Sequence, residues 1–252
     1  MKIVVACPSY KRPKVETLEY LPFCRVYVDG KEADGYFEAN PGADIEVCSD
    51  GVQGNLCRVR NYILDNEFKK GADVVLIIDD DMKFVARYEP EGFYGYNRKI
   101  VGKDEFLPFL EKYSRLCKEW GFFFWGLNCT YDATAYRHYT PFSTVSYIGG
   151  PFQCHLKNPI RYDENLPLKE DYDITLQHCN MFRGVLRING YHYSVKQAMQ
   201  AGGCATYRTN PREKEQFEML QKKWGSKIVK TDKASKRKFD FNPIIHIPIK
   251  GV

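Results

Sequence analysis

The chain has 252 residues, 44% of them hydrophobic and 15% aromatic, which suits one large α/β domain or two small ones and excludes bulk disorder. Its apolar runs are too short to span a bilayer, and its nine cysteines stand singly with no CxxC pair, which argues against a disulfide framework or a zinc site. The net charge of +5 permits an anionic partner without establishing one. Residues 1–7 enter a strand-like run with no charged leader or cleavage site, so the expected location is the cytoplasm.

Residues 2–7, KIVVAC, read as the first strand. The loop Pro8-Ser9-Tyr10-Lys11-Arg12-Pro13 follows, with two cations, where an α/β sheet commonly holds a nucleotide base or phosphate. A short helix is expected over 16–20, strand two over 24–28 and strand three over 45–48. Gly51-Val52-Gln53-Gly54-Asn55 then opens a helix over 56–68 whose first turns carry Arg58, Arg60 and Asn61. A glycine-bearing loop feeding a helix N-terminus offers amide donors and a positive dipole end to an anion. Arg58 and Arg60 cannot share one helix face, so one meets the ligand while the other is solvated.

Residues 74–78, VVLII, form an unbroken and mostly β-branched run, as in a strand buried on both faces. The run ends in Asp79, Asp80 and Asp81. Such a cluster is costly without a cation. Alternation puts Asp79 and Asp81 on one side, and carboxylates presented there suit Mg²⁺ or Mn²⁺ shared with substrate phosphates. An acidic turn without metal is the bland alternative.

Residues 83–99 look like a polar loop. An amphipathic helix is expected over 103–121, with Phe106, Phe109, Leu110, Tyr113 and Leu116 at helical spacing. A strand over 122–127 carries Trp125, and the aromatic stretch 131–139 follows with Tyr131. Residues 144–148 read as another strand before Gly149-Gly150, paired glycines that either let the backbone approach a ligand or form an ordinary turn. The stretch 165–177, NLPLKEDYDITLQ, is the second acidic constellation, on a helix starting near Glu170. Glu170, Asp171 and Asp173 exceed what one cap needs, and a carboxylate there can act as a general base. A strand over 185–189, a flexible loop with an anion-binding Arg208, and a charged helix over 212–224 complete the order. The basic stretch 227–238, with Lys236 and Arg237, is either a solvated tail or a face for nucleic-acid phosphates.

PSYKRP after strand one, GNLCRVRN opening a helix, IIDDD closing a strand and KEDYD opening a later helix occur in that order. The ordered set resembles the GT-A fold of nucleotide-sugar glycosyltransferases, a Rossmann-like single domain with a central, mostly parallel sheet flanked by helices. EDYDITLQ followed by GGCATYRT is similar to the TET/JBP-associated glycosyltransferases, phage and eukaryotic enzymes inferred to glycosylate hydroxymethylated pyrimidines in DNA. The resemblance implies a nucleotide-sugar-binding half over 1–82 and an acceptor-binding half over 83–252. Pro8, Ser9, Arg12, Gly54, Arg58, Asn61, Asp79, Asp80 and Arg208 would bind the nucleotide sugar. Asp81 and Asp79 would hold Mn²⁺ or Mg²⁺, with His192 or His246 as a further ligand. Asp171 would be the base of an inverting transfer, with Glu170 and Asp173 as its neighbours in the catalytic motif. Trp125, Tyr131, Gly149, Gly150, Lys236 and Arg237 would meet a DNA acceptor, probed in a host cytoplasm if the chain is phage-encoded. A protein or small-molecule hydroxyl as acceptor, a nucleotidylyltransferase, and a non-catalytic DNA-binding module on the same fold are the competing readings; the absence of a GxGxR-type loop after strand one counts against the second.

Overall fold

The structure is a computed structural model and describes residues 1–91, 95–130, 132, 136–196, 202–232 and 241–251. In chain order the strands and helices are β1 (Ile3–Pro8), α1 (Thr17–Tyr20), β2 (Arg25–Val28), α2 (Ala33–Ala39), β3 (Ile45–Val47), α3 (Leu56–Lys69), β4 (Val74–Ile78), β5 (Met82–Glu91), β6 (Gly95–Ile100), α4 (Lys103–Glu119), β7 (Phe124–Asn128), β8 (Phe142–Ser143), β9 (Phe152–Leu156), α5 (Glu170–Phe182), β10 (Leu186–Val195), α6 (Asn210–Trp224), β11 (Val229–Thr231) and β12 (Pro243–Ile245). A ten-stranded sheet runs β3-β2-β1-β4-β9-β7-β10-β5-β6, with β8 against β10. The first four strands pair in parallel, as does β7 with β10. β9 lies antiparallel between β4 and β7, and β5 joins β10 and β6 antiparallel.

Every residue of β4 is buried, which its apolar run requires of a strand covered on both faces. One face packs under α4 through Leu76, Ile78, Phe106, Phe109 and Trp125. The other packs under α3 and α5 through Tyr27, Ile63, Val75, Ile77, Phe124 and Ile174. A smaller cluster of Leu166, Leu176, Phe217, Leu220 and Val229 ties α6 and the β11–β12 hairpin to α5. The α/β expectation therefore stands, with the sheet mixed in direction.

Two expectations give way. The described part of 83–99 is strand rather than loop: β5 and β6 pair antiparallel at the sheet edge, where one face is open to water and a polar composition is compatible with strand. The strand expected over 144–148 is absent. That segment passes over Gly126, where a Cβ would stand 2.4 Å from the Ile148 side chain, and delivers the chain to β9. β9 escapes a hydrophobicity reading because Gln153 and His155 interrupt its apolar pattern although both are wholly buried.

Candidate active site

The carboxyl ends of β1 and β4 open into a cleft of about 410 Å³. Asp79, Asp80 and Asp81 form one wall, and they are not equivalent. Asp80 is buried and already committed: Arg12 Nη1 lies 2.7 Å from its Oδ1 and Ser9 Oγ donates to its Oδ2 at 2.6 Å. The Arg12 amide donates to Tyr36 Oη at 3.1 Å and the Tyr36 hydroxyl lies 2.9 Å from Ser9 Oγ, so one short chain of bonds fastens the β1 loop to the acidic run. Burial still pushes the Asp80 carboxyl up, against the pull of Ser9 and Arg12. Asp81 is pushed up to about 7, by burial first and then by Asp79 and Asp80. Burial raises Asp79 too, opposed by Arg60, whose Nη2 is 3.4 Å from Asp79 Oδ1. Adjacent carboxylates that resist ionisation fit a divalent cation, which would supply the missing positive charge. Among the described residues no three His, Cys, Asp or Glu side chains are grouped as a closed metal site.

The opposite wall belongs to α3, through Leu56, Val59 and Arg60, and behind Arg60 lie Gly150 and the start of α5. Arg60, 1% exposed, also donates to Gly150 O at 3.1 Å and lies 3.3 Å from Glu170 Oε1. It therefore joins the two acidic constellations. Glu170 is pushed up to about 8, by burial and then by Asp171, while Arg60 opposes. Asp171 accepts from the Tyr147 hydroxyl and, at 2.9 Å, from the Tyr172 amide. Gly150 sits where a Cβ would be 3.6 Å from Arg60, Asp171 and Glu170 alike, and Gly149 where a Cβ would strike the Tyr193 hydroxyl at 2.3 Å. Gly149 is thus demanded by close approach, whereas a side chain at Gly150 would make only ordinary contacts.

Pro8, Ser9, Arg12, Gly54, Asp79, Asp80, Asp81 and Arg208 line the cleft. Arg208 follows a short 3₁₀ turn, Gly203–Thr206, its amide donating to Cys204 O at 2.9 Å, and the turn is pinned where the Gly203 amide donates to Tyr10 O at 2.9 Å. The remaining expectations are corrected. Arg58 turns outward to Glu164 at 3.0 Å and to Gly51 O at 2.6 Å. Asn61 is spent on both backbone groups of Tyr162. The amides at the start of α3 are partly taken, since Asn55 caps Cys57 N and Arg58 N. Asp173 is fully buried and structural, held by Trp224 Nε1 at 2.7 Å, Lys223 and Gln177. Trp125 is fully buried in the α4 core and donates to Ser114 Oγ at 3.1 Å, so it cannot stack on a base. His192 is no partner of Asp81: it is fully buried on β10, opposite Ala86, with ring contacts to Phe84 and Tyr88. His246 belongs to the C-terminal hairpin, its amide on Ile228 O. Tyr131, Lys236 and Arg237 lie outside the described residues.

Arg60 is the cleft residue that the sequence reading passed over in favour of Arg58. The signal was available: Cys57, Arg60, Ile63, Leu64 and Glu67 share the buried face of α3. A buried guanidinium must find acids.

No family model and no curated protein matches the chain. Among solved structures, residues 1–349 of TarS from S. aureus are similar at 13% identity and a TM-score of 0.47, over 88% of this chain and 66% of that one. Glucosyl-3-phosphoglycerate synthase from Mycobacterium tuberculosis, with Mn²⁺, UDP and glucosyl-3-phosphoglycerate, is similar at 12% identity and 0.46, over 78% and 72%. CMP:2-keto-3-deoxy-manno-octonic acid synthetase with CTP is similar at 12% identity and 0.42, over 88% and 100%.

Proposed function

We propose that the protein is a metal-dependent glycosyltransferase that moves a sugar from a nucleotide-sugar donor to an acceptor hydroxyl. The observation that carries the reading is Arg60: one buried guanidinium touches Asp79, at the end of β4, and Glu170, at the start of α5. The donor-side acids and the acidic start of α5 are thereby joined through one guanidinium, and the GT-A resemblance assigns its DxD and base motifs to these two places. Asp79 and Asp81 would hold Mn²⁺ or Mg²⁺, which when bound supplies neutralisation of charge on a diphosphate leaving group. Arg12, paired with Asp80 at 2.7 Å, and Arg208, paired with Glu213 at 3.0 Å, are the cations that would meet the donor phosphates in the cleft. Asp171 takes the proton of the acceptor hydroxyl as its oxygen attacks the anomeric carbon and the bond to the diphosphate breaks. One base and no second nucleophile in this assignment correspond to inversion.

The acceptor in this reading is a hydroxymethylated pyrimidine in DNA. Its support is the resemblance of EDYDITLQ and GGCATYRT and the net charge of +5. A base in a duplex must be flipped, or taken from a single strand, to reach the cleft. The test is mass spectrometry after incubation with a panel of nucleotide sugars and, separately, hydroxymethylated DNA, protein and small-molecule hydroxyl acceptors. A hexose or pentose mass added to DNA, abolished by EDTA, is expected. Addition to another acceptor with no DNA product overturns the acceptor, and no transfer from any donor overturns the enzyme.

A further inference from the structure

β9 places Phe152, Cys154 and Leu156 in the core under α4, and so turns Gln153 and His155 into the core under α3 and α5. Both polar side chains are fully buried, a costly place unless bonded. Tyr162, 3% exposed, joins them: its hydroxyl donates to Gln153 Oε1 at 2.6 Å and lies 2.8 Å from His155 Nε2. The hydroxyl has one proton, given to Gln153, so His155 must donate from Nε2. Gln153 Oε1 also accepts from Arg60 Nη1 at 2.8 Å. Gln153 Nε2 and His155 Nδ1 have no hydrogen-bond partner, so the network is built to aim one oxygen at Arg60 rather than to satisfy every atom.

The distances rank the contacts of that guanidinium. The bond to neutral Gln153, at 2.8 Å, is shorter than the contacts with Asp79 at 3.4 Å and Glu170 at 3.3 Å. A free arginine between two carboxylates would collapse into a close, charge-assisted pair with one of them. We propose that Gln153 and Tyr162 are positioning residues that centre Arg60 between Asp79 and Glu170. The donor-side and base-side acids are thereby held in fixed relation, and neither is consumed in a tight ion pair. The kinetic part of this inference rests on the glycosyltransferase reading; the geometric part does not.

The test combines steady-state kinetics with crystal structures of Gln153→Leu, Gln153→Glu and Tyr162→Phe. Gln153→Leu removes the anchoring oxygen at similar volume. Its kcat should fall by on the order of 10- to 10²-fold, the usual effect of small misplacement, with donor KM within about two-fold. Its crystal structure should show Arg60 closed onto Asp79 or Glu170. Tyr162→Phe, the variant that replaces it should Gln153→Leu not fold, should shift kcat in the same direction. Gln153→Glu keeps the acceptor oxygen but adds a buried charge, so it should draw Arg60 into a close pair with itself, away from Asp79 and Glu170, and should not restore the rate. Wild-type kcat in both Gln153→Leu and Tyr162→Phe, or an unmoved Arg60 in their structures, overturns the proposal. Absence of any sugar transfer by the wild type overturns the enzymatic reading instead, and the position of Arg60 still decides this one.

Discussion

Asp81 shows how one carboxyl couples stability to ligand. Its value is 3.8 when unperturbed and about 7 in the fold, raised by burial and by Asp79 and Asp80. Between those values the folded protein keeps a proton that the unfolded chain has lost, so this contribution to stability drains away as pH rises and is gone above the folded value. The metal-free protein should melt at lower temperature at about pH 8 than at about pH 5 through this group, and Mn²⁺ at the higher pH should restore part of the loss. Asp81→Asn should flatten the pH curve, remove the Mn²⁺ effect and abolish turnover. Superimposable melting curves for variant and wild type would refute the assignment. The acids of α5 separate by the same reasoning. Asp171→Asn should cut the rate by roughly 10²–10⁴-fold at unchanged melting temperature. Asp173→Asn weakens the bonds to Lys223 and Trp224, and should cost about 1–3 kcal/mol of stability in denaturant titration with kcat preserved. If the two variants exchange phenotypes, the base is Asp173.

At the level of elements, the wall between 202 and 208 is held by backbone geometry. Gly202 has φ +97°, and a Cβ there would stand 2.8 Å from Lys11 O and 3.0 Å from Tyr10 O. Gly202→Ala thus meets both an unfavourable dihedral and fixed backbone atoms, a strain of about 1–3 kcal/mol that detaching the segment from the β1 loop would relieve. Arg208 would leave the cleft with it. Donor KM should then rise by roughly ten-fold, the equivalent of about 1.4 kcal/mol. Donor KM unchanged in Gly202→Ala would show that this wall has no part in donor binding. The β1 loop is braced independently by Ser9, Tyr36 and Asp80, so it should survive the loss of its cover.

For the whole molecule, the acceptor question turns on where charge and aromatic surface lie. Trp125 is core, and Trp125→Ala should cost about 3–5 kcal/mol of stability without a specific effect on acceptor binding. If DNA is the acceptor, log Kd should vary linearly with log salt, because phosphate contacts release counterions. Ala at Lys236 and Arg237 should lower the magnitude of that slope by about two, one for each lost phosphate contact. A slope unaltered by the double substitution would remove the 227–238 stretch from the interface. No helix among the described residues is long and apolar enough to cross a membrane.

The sequence alone determined what depends on near neighbours. The β4 run, the helices α3, α4 and α6, and the start of α5 at Glu170 all follow from apolar runs and helical spacing within a few residues. Tertiary structure decided whatever depends on contacts far along the chain. It gave the cleft to Arg60 and turned Arg58 outward to Glu164. It buried Trp125 and His192, and showed Asp173 to be held by α6 rather than free for catalysis. It also inserted β9 antiparallel beside β4, carrying Gln153 and His155 inward against the apolar rule, since a buried polar side chain is acceptable only when distant partners such as Tyr162 and Arg60 arrive to bond it.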